Sequence, residues 1–90
     1  MAVTVKIPSQ LRASTGGEAA LTAEGATVGE VLDDVFTEHA ELRERITDDG
    51  EVRRFVNIYV GGEDIRFGDG LGTGVDDGAE VTILPAVAGG

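Results

Sequence analysis

The chain contains no cysteine, which removes disulfides, thiolate metal sites and thiol nucleophiles together. Tryptophan is absent too, and the aromatic residues are 3 Phe and 1 Tyr. A core must therefore come mainly from Val, Leu and Ile, which favours strands plus one helix over a bundle. Positive charge is scarce: 7 Lys and Arg stand against 17 Asp and Glu, for a net charge of −10. Nucleic acid and anionic membranes call for a basic surface, so this balance argues against both as partners. It favours association with basic protein surfaces. No hydrophobic run approaches the roughly 20 residues of a membrane span. The opening Met1-Ala2-Val3-Thr4-Val5 lacks the charged and long apolar regions of a signal peptide, so a cytoplasmic protein is expected.

What is present fits one small domain, since 90 residues leave no room for a second core. Val3, Val5 and Ile7 alternate with polar residues as in a half-buried strand, which Pro8 stops. After a turn at Ser14-Thr15-Gly16-Gly17, a weaker strand is expected over Ala19 to Ala23, with Leu21 its best core residue. Thr27-Val28-Gly29-Glu30 supplies a capping box. Behind it, Val28, Val31, Leu32, Val35 and Phe36, and further on Leu42, recur at helical spacing. One amphipathic helix is expected from Val28 to about His39, followed by a polar loop from Glu41 to Glu51. The strongest strand runs from Arg54 to Val60 and turns through Gly61-Gly62 into a short strand, Glu63 to Phe67. A glycine-rich loop over Gly68 to Gly78 follows, anchored by Leu71 and Val75, and Glu80 to Leu84 form the last strand.

This order of elements predicts an α+β protein, the β-grasp or ubiquitin-like roll. A mixed sheet of four to five strands carries one main helix on one face. Residues 1–84 make the β-grasp domain, and residues 85–90 a flexible C-terminal tail ending in Gly-Gly. Period-2 alternation puts Val56, Ile58 and Val60 on the core side and Phe55, Asn57 and Tyr59 on the open side. Leu84 should share that open side, so Phe55, Tyr59 and Leu84 are the candidate docking surface, since aromatics are enriched in interface hot spots.

The body offers little reactive chemistry. Gly68-Asp69-Gly70-Leu71-Gly72-Thr73-Gly74 fits neither the dinucleotide fingerprint nor a P-loop, and its Asp repels phosphate. Asp48-Asp49-Gly50-Glu51 lacks the spacing of a calcium loop. His39 is the single histidine, placed where a cation complements a helix C-terminus, and without companions it makes no metal site. Asp33-Asp34 and Asp76-Asp77 are adjacent pairs, which on a helix do not share a face. The expectation is therefore a protein that is not an enzyme, binds no cofactor and holds no metal.

The tail is different. Pro85, Ala86, Val87 and Ala88 are small or narrow residues leading from a strand to Gly89 and Gly90. A carboxylate is a poor electrophile until joined to AMP at the expense of ATP. The chain carrying it must then thread a narrow enzyme channel, which glycine, lacking Cβ, permits.

With Arg54-Phe55-Val56-Asn57-Ile58-Tyr59-Val60, Glu63-Asp64-Ile65-Arg66-Phe67 and the opening Val3-Thr4-Val5-Lys6-Ile7-Pro8, the ending Glu80 to Gly90 resembles the MoaD and ThiS sulfur carriers. It is most similar to their CysO branch in actinobacteria, and the resemblance spans the whole chain. The resemblance implies that Gly90 is adenylated by a ubiquitin-activating-like enzyme of the MoeB or MoeZ type. Sulfide from a persulfide donor then converts the carboxylate to a thiocarboxylate, so that covalent sulfur sits on Gly90. In that branch a cysteine synthase of the CysM type accepts the sulfur, and a JAMM-type metalloprotease releases cysteine from the tail. Sulfur donation to molybdopterin, thiazole or thiosugar synthesis stays open, as does a protein modifier conjugated through Gly90. A passive interaction domain whose tail is irrelevant is the remaining alternative.

Overall fold

Alternation builds the first strand. In the computed structural model, which describes residues 2–53 and 56–85, β1 (Ala2–Lys6) buries Val3 and Val5 and turns their neighbours outward. A 3-10 helix, Ser9–Thr15, then fills a stretch where only the turn at residues 14–17 was expected, and buried Leu11 anchors it. β2 (Ala20–Glu24) returns antiparallel to β1, with Ala23 opposite Val3 and Leu21 opposite Val5. Ala23 is the fully buried residue of β2, whereas Leu21 packs half-buried at the core margin. The strand lies at the sheet edge, so a side chain there has strand neighbours on one flank alone.

Thr27 caps α1 (Val28–Glu38), its Oγ1 accepting the Glu30 N–H at 3.2 Å. The Glu30 carboxylate reaches past the cap residue and accepts the Ala26 N–H at 2.9 Å. Val28, Val31, Leu32, Val35 and Phe36 are all buried, as the apolar stripe requires. His39 ends α1, as expected, and it also caps a second helix, α2 (Ala40–Ile46).

The expected loop from Glu41 to Glu51 is thus α2 plus a small hairpin, β3 (Thr47–Asp48) and β4 (Glu51–Val52), turning at Asp49-Gly50. Leu42 and Ile46 explain the difference. They stand four residues apart on one helical face, and both are 0% exposed. The charges at Glu41, Arg43, Glu44 and Arg45 form the outer face of a short amphipathic helix.

β5 (Val56–Val60) buries Val56 and Ile58 and turns Asn57 and Tyr59 to the opposite side. Gly61 and Gly62 have φ of +59° and +86°, the left-handed pair that a two-residue hairpin needs and side chains resist. β6 (Glu63–Asp64) follows but stops early. Asp64 Oδ1 accepts the Arg66 N–H at 2.9 Å and draws the chain into a 3-10 turn, Ile65–Phe67, where a strand was expected. The glycine-rich loop is fastened to the start of α1. Thr73 O accepts the Val28 N–H and Ala26 O the Val75 N–H, each at 2.9 Å. Val75 is buried and Leu71 half-buried, as expected.

β7 (Glu80–Pro85) completes a mixed sheet of order β2-β1-β7-β5-β6. α1 and α2 share the buried side with the inward rows of the strands. Among the described residues no helix is long and apolar enough to cross a membrane. If α2 is an integral part of the core, Ile46→Ala should lower unfolding free energy by about 2–5 kcal/mol in chemical denaturation. A solvated loop would lose less than about 0.5 kcal/mol.

Candidate functional site

The last strand is the central strand of the sheet. β7 runs parallel to β1 on one flank and antiparallel to β5 on the other, with Val81 beside Val5 and Ile83 beside Ile58. Val81 and Ile83 are both 0% exposed. Whatever follows β7 is thereby attached to the middle of the sheet and not to a frayed edge. β7 ends at Pro85, opposite Val56, one residue beyond the expected boundary. Proline donates no backbone hydrogen bond, so a strand end suits it. Ala86, Val87, Ala88, Gly89, Gly90 and Phe55 lie outside the described residues.

The open face of the sheet brings Tyr59 and Leu84 together. Tyr59 pairs with Thr82 and Asn57 with Leu84, so Tyr59 and Leu84 are diagonal cross-strand neighbours at about 7–8 Å. Leu84 is 46% exposed and Tyr59 half-buried. Around them the face is polar, with Thr4 opposite Thr22 and a Lys6–Glu80 ion pair at 3.9 Å. That pair is solvent-exposed and contributes little stability.

Arg66 and Phe67, expected from the sequence as strand residues and not as site residues, stand at the same end of the sheet. Where β6 stops, the Arg66 guanidinium takes over the edge of β5. It donates to Val56 O and Asn57 Oδ1, each at 2.7 Å, and to Arg53 O at 3.1 Å. Val56 is the residue opposite Pro85, so this clamp braces the strand against which the chain end is registered. Phe67 is 86% exposed. Reading Glu63 to Phe67 as a strand concealed both, because the Asp64 cap is a side-chain bond that alternation does not register.

The other candidates have structural roles. The α1 N-terminus meets the glycine-rich loop through the Thr73 carbonyl, which occupies a donor that a phosphate would need. Asp34 Oδ2 accepts the Glu24 N–H at 2.8 Å, and Asp77 Oδ1 the Ala2 N–H at 2.9 Å. Each carboxylate pins a strand end. Asp49 serves the β3–β4 turn with a φ of +54°.

The sequence profile of the ThiS family matches residues 5–90. The chain belongs to the ThiS family. It is 50% identical over 93 aligned positions, covering all of both chains, to the sulfur carrier protein CysO of Mycobacterium tuberculosis. In the crystal structure of the Amycolatopsis orientalis BexX/CysO complex, a 52% identical chain superposes with a TM-score of 0.92. That match covers 98% of this chain and 99% of the other. Small archaeal modifier protein 3 of Haloferax volcanii is 42% identical over 67 residues, 74% of this chain and 73% of its own. The fold is accordingly the ubiquitin-like β-grasp. Half of all positions shared with a sulfur carrier over its full length make this chain a sulfur carrier of the ThiS family.

The two faces of β7 make an internal control. Ile83→Ala should cost about 2–5 kcal/mol of stability, and Leu84→Ala less than about 1 kcal/mol. Equal losses in urea unfolding would contradict the assignment of Leu84 to the open face.

Proposed function

We propose that Gly90 is the residue on which this carrier holds its sulfur, with residues 1–84 as the recognised body and 85–90 as the tail that enters partner active sites. The Gly90 carboxylate attacks ATP within an adenylyltransferase of the MoeB or MoeZ type, releasing pyrophosphate and leaving an acyl adenylate. Sulfide sulfur then displaces AMP from the acyl carbon and yields the thiocarboxylate. The protein itself catalyses nothing in this scheme, and the ATP belongs to the activating partner. The observation that carries the proposal is the seating of β7. A tail rooted in a doubly paired central strand can be pulled into an enzyme without loosening the fold. Gly89 and Gly90 supply clearance, and Ala88, Val87, Ala86 and Pro85 lead into the channel. Tyr59 and Leu84 serve as the docking surface on the open face, joined by Phe55, which the sequence alternation assigns to it and which lies outside the described residues.

For the acceptor, a cysteine synthase of the CysM type is the reading that the likeness to CysO supports best, with a JAMM-type metalloprotease releasing the product. The BexX/CysO complex is one of a relative of this chain with a partner protein, which supports a body built to be gripped by partners. A cytoplasmic site of action follows from those partners. A second reading, conjugation of Gly90 to lysines of other proteins, is favoured by the 42% identity to a small archaeal modifier protein. It uses the same activation and differs in the nucleophile that takes the acyl group.

Deleting Gly90 should abolish sulfur transfer to the acceptor while shifting the thermal midpoint by less than about 2 °C. Undiminished transfer, or a large loss of stability, would sink the proposal. Higher-mass conjugates of the intact chain in lysate, absent for the deletion variant, would favour the modifier.

A further inference from the structure

Beside the Arg66 clamp the protein carries an open groove of about 470 Å³. Val52, Ile65 and Leu71 give it an apolar lining, and Glu51, Asp64 and Asp69 stand around them. Ile65 is buried, Val52 and Leu71 are half-buried, and Glu51 and Asp69 are exposed. Among the described residues the groove has one cation in its lining, Arg66, whose guanidinium donates to Arg53 O, Val56 O and Asn57 Oδ1. The pattern is a groove lined by apolar side chains and by 3 carboxylates against 1 guanidinium, in a chain whose net charge is −10. Its complement is an apolar side chain flanked by Lys or Arg.

The groove also has a defined place relative to the tail. Val56 belongs to its lining and is the strand partner of Pro85. Phe67 follows Arg66 in the same turn, with its ring 86% exposed. The turn is held by the Asp64 cap, the Gly68 N–H to Ile65 O bond and the Arg66 clamp, so the ring projects from a fixed base. Neighbouring strands are about 4.8 Å apart, which sets this turn roughly 10 Å across the sheet from the tail root. An enzyme holding the tail therefore reaches this groove as well as the open face.

We propose that the groove, with Phe67 at its flank, is a second docking site. It takes a segment of the activating enzyme that presents an apolar anchor between basic residues. This rests on the carrier reading above, yet it assigns a surface distinct from Tyr59 and Leu84. Apolar contact holds the anchor, whereas the carboxylates steer the approach and reject acidic surfaces. The same steering makes the contact sensitive to salt.

The test is binding of the full chain to a purified MoeB-type adenylyltransferase by titration calorimetry at low and high salt. Glu51→Lys combined with Asp69→Lys should weaken Kd roughly tenfold and flatten its salt dependence. Phe67→Ala should weaken Kd several-fold, and both variants should keep the wild-type thermal midpoint because the altered residues are exposed. The Gly90 deletion should still bind while losing activation, which separates the two proposals. Binding without activation of the wild type would fail the Gly90 reading and leave the groove intact. Unchanged Kd in both groove variants, or no binding by the wild type, would overturn the groove. So would a Phe67-dependent dimer in sedimentation, which would make a second copy of the chain its occupant.

Discussion

The architecture depends on one constraint: β7 is hydrogen-bonded on both flanks, parallel to β1 and antiparallel to β5. In an antiparallel meander the last strand can sit at an edge and fray. Here the parallel contact requires a crossover, which the helical layer supplies. Val81 and Ile83 lie fully buried against the same core that receives Val31, Leu32 and Ile46. Peeling β7 away would break two ladders and open that core together. Force on the chain end is therefore resisted by the cooperative stability of the whole domain and not by one local contact.

That constraint separates stability from chemistry. The core is aliphatic apart from Phe36, and the paired carboxylates hold strand ends or form solvated faces. In the proposed scheme the reactive atoms belong to a short chain end and to the enzymes that receive it. The body must then offer surfaces that successive partners grip while the tail passes between them. The open face near Tyr59 and Leu84 and the groove beside Arg66 lie at the same end of the sheet. An acidic exterior gives both a common preference for basic partners.

Much of this was legible in the sequence, for identifiable reasons. Period-2 alternation located β1 and oriented β5, a β-branched apolar run located β7, and the Thr27–Glu30 signal with its apolar stripe located α1. Gly61-Gly62 specified its hairpin because few other residues tolerate that backbone. The parts that were missed were set by side-chain bonds or by very few apolar residues. α2 rests on Leu42 and Ile46 alone, too few to display a period in a charged stretch. β6 ends where an Asp64 carboxylate captures an amide, an event that no hydrophobic pattern records. The groove is likewise a product of tertiary assembly, since Glu51 comes from β4, Ile65 from the 3-10 turn and Asp69 from the glycine-rich loop.

The central claim is that a seated last strand presents a terminal carboxylate as the sulfur-bearing group. Its most direct test is fragment mass spectrometry of the full chain after incubation with an adenylyltransferase, ATP and a sulfide source. A single exchange of oxygen for sulfur, confined to the fragment carrying Gly90, is the expected result. A modification elsewhere in the chain, or an unaltered Gly90 under conditions that activate CysO, would contradict it.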